Sequence, residues 1–232
     1  MSDVATNEAL GRISLFAGLT APELAEIATK MRPQRFKRGE VIFYQGDAPG
    51  AFFLIRTGSV KITTMNADGK ETLLALLTAG QCVGEMGALD GDARSATVTA
   101  LEVTETLALQ RPELLGFVRS HPDFALRLIA TLASRLRRLD ERLEDAHFLD
   151  LDTRLAKLLI DFARERGQRE TRGIVVPMPL SQSDLAAMIG GTRVSVNRLL
   201  NAYQEEGILA REKDSFVIVH ERAMRAHAGE EV

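Results

Sequence analysis

The chain has 232 residues, 45% of them hydrophobic, and its one cysteine, Cys82, excludes an internal disulfide and any metal site of four cysteines within one chain. The formal net charge of −3 at pH 7 gives no overall basic signal, so nucleic-acid binding would have to come from a local surface. The apolar runs are short and the amino end has no signal-peptide pattern, which predicts a cytoplasmic protein of two domains without a membrane segment.

The first half of the chain predicts a helix followed by an antiparallel sheet. A helical pattern from Glu23 to Lys30 changes, between Arg35 and Leu109, to short β-rich segments. The segments are VIFY, AFFLIR, VKITTM, TLLALL, SATVTA and ETLALQ. Glycines between them are expected at turns with positive φ, namely Gly39, Gly46, Gly50, Gly58, Gly69 and Gly80. This rhythm predicts a β sandwich or jelly roll.

The stretch VGEMGALDGDARSATVTA combines a glycine-rich turn with residues that suit a phosphate ligand. A short helix opening at Gly84 would leave the backbone N–H groups of Glu85 and Met86 free to bind an anion. Arg94 would add a bidentate fork to a phosphate, at a site open to ligand and solvent, and Ser95 would add a hydroxyl donor. Glu85, kept charged by Arg94, would accept hydrogen bonds from hydroxyls such as a ribose 2′-OH. These residues predict a sugar phosphate of low charge as the ligand.

A long helix is predicted after Pro122, because the apolar pattern keeps a helical period for many turns. Its apolar row alternates steps of four and three residues and consists of Ala125, Ile129, Leu132, Leu136, Leu139, Leu143 and Ala146. Charged residues flank the row, namely Arg135, Arg137, Arg138, Glu141 and Arg142. A narrow row between charged flanks favours a coiled coil with a second copy of the chain. The alternative is a helix that lies on its own domain's core.

The last third of the chain predicts a second domain. Residues Phe148 to Asp152 interrupt the helical register, and Asp152 or Thr153 is expected to cap a new helix that ends at Gly167. The elements expected after it are a strand from Ile174 to Met178, two helices separated by Gly190 and Gly191, and a hairpin from Ile208 to Val219 that turns near Lys213 and Asp214.

The two helices of this domain have the pattern of a helix-turn-helix. Ser181 and Asp184 predict a capping box for the first helix, and Thr192 is expected to cap the second. Arginines near a helix start, beside an apolar side chain and amides, suit guanine edges, thymine methyls and phosphates in a major groove. The alternative is a winged-helix domain that binds protein. The second helix would bury Val196, Leu199, Leu200 and Tyr203 and leave Arg193, Val194, Asn197, Arg198 and Asn201 on its open face.

The run G-E-M-G-A-L, followed after a short spacer by R-S-A at Arg94 to Ala96, resembles the phosphate-binding cassette of cyclic-nucleotide-binding domains. With the strands before it, the long helix and the helix-turn-helix, nearly the whole chain resembles the catabolite activator (cAMP receptor protein, Crp/Fnr) family of bacterial regulators. The resemblance implies an α+β fold with a jelly-roll sensor domain at residues 1–121, a dimerisation helix and hinge at 122–149, and a winged helix-turn-helix domain at 150–232.

The resemblance also implies a homodimeric transcription regulator, not an enzyme, whose affinity for DNA is controlled by bound cAMP or cGMP. Its partners would be double-stranded DNA, the nucleotide, a second copy and RNA polymerase. Two alternatives are a family member active without ligand and a nucleotide-binding module that binds protein. No Ser-His-Asp set, convergent carboxylate pair or metal-ligand spacing is recognisable in the sequence. The residues expected to contact DNA are Arg193, Val194, Ser195, Asn197 and Arg198.

Two stretches depart from the family pattern. Gly191-Thr192-Arg193-Val194 is more similar to the cyanobacterial nitrogen regulators of the same superfamily, which read half-sites containing G-T-A and whose effector is not a cyclic nucleotide. In cAMP-responsive members a Thr-Ser pair on the long helix holds the adenine, and in this chain Leu139 and Asp140 take that place. The departures affect the DNA sequence that is read and the purine that is bound.

Asp140 leaves the choice of purine open. A carboxylate can accept two hydrogen bonds from the N1–H and N2–H₂ groups of guanine but only one from the amino group of adenine. The alternative is an ion pair between Asp140 and Arg135 of the other chain, across a parallel coiled coil. The sequence supports both interpretations, so cAMP remains the ligand that the resemblance implies and cGMP is its competitor.

Overall fold

The computed structural model describes residues 10, 11, 13–69 and 71–230. These residues fall into two compact units that divide between Arg138 and Leu139. In this described part of the chain, no helix combines the length and the apolar character that crossing a membrane requires.

The first unit is built around two antiparallel sheets with strand orders β1-β8-β3-β6 and β2-β7-β4-β5. This arrangement confirms the predicted β sandwich. The predicted helix at 23–30 begins two residues earlier, because Thr20 and Glu23 form a capping box. The elements are a 3₁₀ turn (Ser14–Phe16), α1 (Ala21–Lys30), β1 (Arg32–Phe36), β2 (Val41–Phe43), β3 (Phe52–Thr57), β4 (Ser59–Met65), β5 (Glu71–Thr78), β6 (Cys82–Val83), α2 (Glu85–Asp90), β7 (Thr97–Ala100), β8 (Thr104–Leu109), α3 (Arg111–Ser120) and α4 (Pro122–Phe148).

Two apolar clusters stabilise this unit, and strand β3 contributes to both. Its side chains alternate, so that Ile55 belongs to a cluster with residues of both sheets, whereas Phe52 belongs to a cluster shared with the helices. In the second cluster Phe124 of α4 stacks on Phe16, with ring centroids 5.5 Å apart, and meets Phe117 edge-on at 5.0 Å. Burial of side chains of this size contributes about 1.5 to 3 kcal/mol each. The amino end of α4 is therefore anchored to the sandwich.

One glycine in the sheet does not have the predicted backbone. Five of the six glycines expected at turns have positive φ, but Gly50 does not. At Gly50 a side chain would be tightly placed for another reason, because a Cβ there would lie 3.2 Å from Nη2 of Arg94. Gly50 thus serves the close approach of a guanidinium and not a left-handed turn.

The apolar row of α4 is exposed in the single chain. The helix packs on its own unit through Phe124 and Leu128, which are almost fully buried. It therefore covers its own core with residues outside the predicted row, and the row is left accessible to another surface. Four of the five large residues of the row, Ile129, Leu136, Leu139 and Leu143, are between 48% and 61% exposed, and the fifth, Leu132, is half-buried.

The second unit contains the predicted elements in their predicted order, together with a short strand (Gln168–Glu170) and a final helix (Glu221–His227) that the sequence pattern did not indicate. Its sheet has the strand order β11-β12-β10-β9, and all its pairs are antiparallel. The hairpin predicted at 208–219 is formed by β11 and β12. After α4 the elements are α5 (Leu151–Arg166), β9 (Gln168–Glu170), β10 (Gly173–Pro177), α6 (Gln182–Ile189), α7 (Arg193–Glu205), β11 (Leu209–Arg211), β12 (Ser215–Ile218) and α8 (Glu221–His227).

The cap of α5 is Asp150, so the prediction of Asp152 or Thr153 was wrong. Asp150 Oδ1 accepts from the backbone N–H of Thr153 at 2.8 Å, which satisfies one of the free donors at the helix start. Asp152 serves another role, because it accepts from Tyr203 Oη at 2.6 Å and lies 2.8 Å from Nδ1 of His227. The hydrogen bond to Asp152 raises the pKa of His227. These contacts connect α8 and α7 to the start of α5.

Candidate functional site

The glycine-rich stretch forms a tight turn between β6 and α2, as predicted. Gly84 has a φ of +79° and directly precedes α2, which ends at Gly91 with a φ of +84°. A Cβ at position 84 would lie 2.7 Å from Nη1 of Arg94 and 3.2 Å from the ring of Phe43. Position 84 therefore needs glycine both for its left-handed backbone and for the approach of a guanidinium.

Arg94 is buried beneath this turn, so the expectation of a site open to solvent was wrong. Its guanidinium donates from Nη1 to the Gly84 carbonyl at 2.8 Å and from Nη2 to the Ala51 carbonyl at 2.7 Å. It also lies over the ring of Phe43, 4.2 Å from the centroid. Burial lowers the pKa of Arg94, although an arginine keeps its charge at any physiological pH. The two carbonyls fix the orientation of a cation that is only 5% exposed.

Glu85 is paired with Arg135 of α4 and not with Arg94, which corrects the second expectation for this site. Arg135 Nη1 donates to Glu85 Oε1 at 2.5 Å, and its Nη2 donates to the carbonyl of Cys82. Glu85 is 4% exposed, and its second oxygen, Oε2, is buried without a hydrogen-bond partner among the described residues. The carboxylate therefore has one oxygen in an ion pair and one oxygen available to a donor.

Arg135 has partners within its own chain that the sequence did not indicate. The sequence predicts Arg135 on the charged flank of the apolar row, with a pair to Asp140 of another chain as one of two alternatives. The structure instead places it on the face of α4 that begins with Phe124 and Leu128, at steps of four and seven residues. A cation that continues a buried helical face at this spacing is the signal that could have identified it.

The thiol of Cys82 lies beside the Glu85–Arg135 ion pair and is not activated as a nucleophile. Its thiol is buried, and Arg135 Nη2 is 3.8 Å from its Sγ. Burial raises the pKa of Cys82 to about 12, so the thiolate does not form at neutral pH.

The remaining predicted ligand residues are exposed. Ser95 and Met86 face each other at the entrance of the turn, with Ser95 Oγ 3.9 Å from Met86 Sδ. Leu139 and Asp140 are exposed residues of α4 and belong to the second unit. The structure thus brings Gly84, Glu85, Met86, Arg94 and Ser95 together around one turn.

The helix-turn-helix has the predicted caps, and its faces are as predicted except at Leu199 and Asn197, which are half-buried. Ser181 and Asp184 form the capping box of α6, and Thr192 Oγ1 accepts from the N–H of Ser195 at 3.1 Å at the start of α7. Helix α7 buries Val196, Leu200 and Tyr203, while Leu199 is half-buried. On the opposite face Arg193, Val194, Arg198 and Asn201 are exposed, with Val194 at 79%. Asn197 is half-buried, because its amide contacts that of Gln182 at 2.9 Å.

The structure contains no candidate metal centre in the part that it describes. Outside residues 1–9, 12, 70, 231 and 232, no group of three or more histidine, cysteine, aspartate or glutamate side chains is arranged to hold a metal ion.

Two family models match the chain. The model of the cyclic nucleotide-binding domain matches residues 33–121, and the model of the Crp-like helix-turn-helix domain matches residues 153–227. The chain is 38% identical to the cyclic AMP receptor protein of Thermus thermophilus over 196 residues, which are 84% of this chain and 87% of that protein. It is 29% identical to the CRP-like cAMP-activated global transcriptional regulator of Mycobacterium tuberculosis, over 91% of this chain and 95% of that one.

A solved structure shares the fold. The c-di-GMP responsive global regulator CLP of Xanthomonas campestris matches 87% of this chain and 100% of its own, with a TM-score of 0.75. The two sequences are 22% identical, so the similarity shows a common fold and does not identify a ligand for this chain.

Proposed function

The chain belongs to the Crp family of DNA-binding transcription regulators with a cyclic nucleotide-binding domain, and on that premise we propose that it is a homodimer whose affinity for DNA is controlled by a cyclic nucleotide. We take cAMP as the favoured ligand and cGMP as its competitor. The dimer would act in the cytoplasm, together with RNA polymerase, on double-stranded DNA.

One observation carries the ligand proposal, namely the buried oxygen Oε2 of Glu85 that has no partner among the described residues. A buried acceptor without a hydrogen bond costs about 1 to 3 kcal/mol, and more if the group is charged. Such a group indicates a donor supplied from outside the chain. A ribose 2′-OH is a donor of this kind, since its hydrogen can be donated to a carboxylate oxygen.

The phosphate would be bound by Arg94 and by donors around the turn. A guanidinium has five N–H donors, and the carbonyls of Gly84 and Ala51 account for two contacts. Ser95 adds a hydroxyl, and the first backbone N–H groups of α2 have no acceptor within the helix. A cyclic phosphate carries one negative charge, which matches one buried arginine.

The contact between Arg135 and Glu85 supports a role for Asp140 in choosing the purine. The alternative for Asp140 was an ion pair with Arg135 of the second chain, but in this structure Arg135 is engaged by Glu85 and by the carbonyl of Cys82. Asp140 is exposed and follows Arg135 by five residues on α4. As a double acceptor it would favour guanine over adenine at this position.

The ion pair between Glu85 and Arg135 suggests how ligand binding would affect the dimer interface. Arg135 lies on the helix that carries the apolar row, and its partner Glu85 is the proposed ribose ligand. A hydroxyl that binds Glu85 would change the environment of this ion pair and so favour one arrangement of the two helices. A coupling free energy of about 1 to 3 kcal/mol is enough to switch affinity for two half-sites about 34 Å apart.

Gel shifts with and without cAMP and cGMP test this function. We expect weak binding of a duplex selected by this protein in the absence of nucleotide, and binding about 5- to 150-fold tighter at saturation, as the coupling implies. Equal binding with and without either nucleotide would instead favour a regulator active without ligand. Nucleotide binding by calorimetry without any binding to DNA would favour the protein-binding module. A lower half-saturating concentration of cGMP than of cAMP would support the guanine role of Asp140.

A second prediction concerns the DNA sequence that is read. Arg193 suits guanine O6 and N7, whereas the methyl groups of Val194 suit a thymine C5-methyl and cannot accept from cytosine N4. Because relatives with a glutamate at this position accept from a cytosine there, we expect wild type to select half-sites of the G-T-A type. Val194→Glu should shift the selection toward G-T-G-A, with a discrimination of about 1 to 3 kcal/mol at that base pair.

Selection from random duplexes measures this preference. Arg193→Ala serves as the companion variant, and should weaken binding and relax the choice of the leading guanine. Identical G-T-G-A sites for wild type and Val194→Glu would show that Val194 does not set the preference.

A further inference from the structure

Three side chains from three elements meet beside the exposed face of α7. Gln182 is the first residue of α6, Asn197 lies in α7, and Arg211 is the last residue of β11. The amides of Gln182 and Asn197 are in contact at 2.9 Å. The same atom of Gln182 lies 3.0 and 3.1 Å from the terminal nitrogens of Arg211. Arg211 itself is exposed, and its guanidinium is 6.0 Å from the ring centroid of Phe216.

Hydrogen-bond chemistry fixes the orientation of both amides. A guanidinium has donors only, so the Gln182 atom that faces Arg211 is the carbonyl oxygen. Asn197 must then face the same oxygen with its NH₂ group, because two carbonyl oxygens at 2.9 Å repel each other. One N–H of Asn197 is thereby used, and its Oδ1 and second N–H are left for another partner.

We infer that Gln182 and Arg211 are positioning residues that orient the Asn197 amide to read an adenine in the major groove. An asparagine reads adenine with two hydrogen bonds, because Oδ1 accepts from N6–H₂ while the NH₂ group donates to N7. The free Oδ1 and the second N–H of Asn197 supply this pair of groups. A freely rotating amide would present either end and would lose part of this discrimination. The inference rests on the proposed DNA-binding function and adds the base that Asn197 reads.

The order of the predicted half-site agrees with this assignment. Arg193 and Val194 at the helix start are expected to read the guanine and thymine of G-T-A. Asn197 follows Arg193 by four residues, which is one helical turn, so both lie on the same face of α7. Asn197 is therefore expected to contact the base that follows those read by Arg193 and Val194, which is the adenine of G-T-A.

Selection from random duplexes, with saturating cAMP and separately with cGMP, tests the inference. We expect wild type to enrich an adenine at one position of each half-site. Gln182→Met keeps the length of the side chain but removes the acceptor, and should reduce the preference for adenine over the other bases at that position about tenfold. Gln182→Glu keeps an acceptor for both Asn197 and Arg211, and should restore the preference even if the added negative charge weakens overall affinity. Gln204→Met, at an exposed position of α7, is the matched control and should leave the selected sequence unchanged.

Two further readouts separate positioning from a structural role. Thermal unfolding of Gln182→Met and its affinity for a non-specific duplex should stay close to wild type, because the change concerns one base. An unchanged adenine preference in Gln182→Met would overturn the inference while leaving DNA binding established. A loss of preference at every base together with a lower unfolding temperature would also overturn it, in favour of a purely structural contact. If wild type enriched no sequence, both the inference and the proposed function would fail.

Discussion

Leu136→Asp should convert the protein from dimer to monomer at micromolar concentration. Leu136 lies in the middle of the apolar row and is 60% exposed in the single chain, so the substitution places two facing carboxylates in the proposed interface. The cost of burying an unpaired charge is about 3 kcal/mol or more, which raises the dimer dissociation constant at least about 150-fold. Sedimentation measures the change.

The exposure of Leu136 allows loss of the dimer to be distinguished from loss of folding. Because Leu136 is exposed in the protomer, the variant should keep its helical circular dichroism and remain a folded monomer. Ala130→Asp adds the same carboxylate to the same helix at an exposed position outside the row, and should leave the dimer intact. A stable dimer of Leu136→Asp, or equal dissociation of both variants, would contradict the assignment of the interface.

Arg94→Leu should abolish high-affinity nucleotide binding and also lower the free energy of unfolding of the first unit. The loss of the hydrogen bonds from the charged guanidinium to the phosphate should cost about 1.5 to 3 kcal/mol of binding free energy. The dissociation constants of cAMP and cGMP should therefore rise about 10- to 150-fold. The Ala51 carbonyl would lose its contact with Nη2, and a buried acceptor without a partner costs about 1 to 3 kcal/mol. The Gly84 carbonyl still accepts from the N–H of Ala88. Calorimetry and thermal unfolding measure the two effects.

Two companion variants separate binding from stability. Arg94→Lys keeps the positive charge but loses the paired N–H donors of the guanidinium. Its affinity for the nucleotide should therefore lie between those of wild type and Arg94→Leu. Arg56→Leu removes an exposed arginine that pairs with Glu105 on the same unit, and should change neither quantity appreciably. If Arg94→Leu were folded and bound both nucleotides like wild type, the phosphate site would lie elsewhere.

Local signals in the sequence were sufficient for most of the fold. The capping box of Ser181 and Asp184, the cap at Thr192 and the break at Gly84 depend on a few neighbouring residues, and the structure has all three. Periodicity identified the long helix and the sandwich for the same reason, because backbone geometry repeats over each element. Asp150 was missed as a cap because Asp152, two residues later, offers the same side-chain acceptor.

The candidate site depended more on contacts between distant residues. Arg135 and Glu85 are fifty residues apart in the chain, and nothing in the local pattern of either residue indicates the other. The same holds for Gly50, whose small size is needed by Arg94, and for Gln182, whose amide faces Asn197 and Arg211. Such pairs follow from packing, which brings elements together in ways that no short stretch specifies.

The sequence by itself determined the order of the main elements and the residue types of the cassette, because these depend on spacing and local backbone preference. Only the tertiary structure decided which charges are paired. Arg94 is buried against the backbone and Glu85 is paired with α4, because the fold of the first unit places Ala51, the turn at Gly84 and the helix α4 close together. The strength and partner of a charge depend on burial and on neighbours within a few ångströms, and these are properties of the packed molecule.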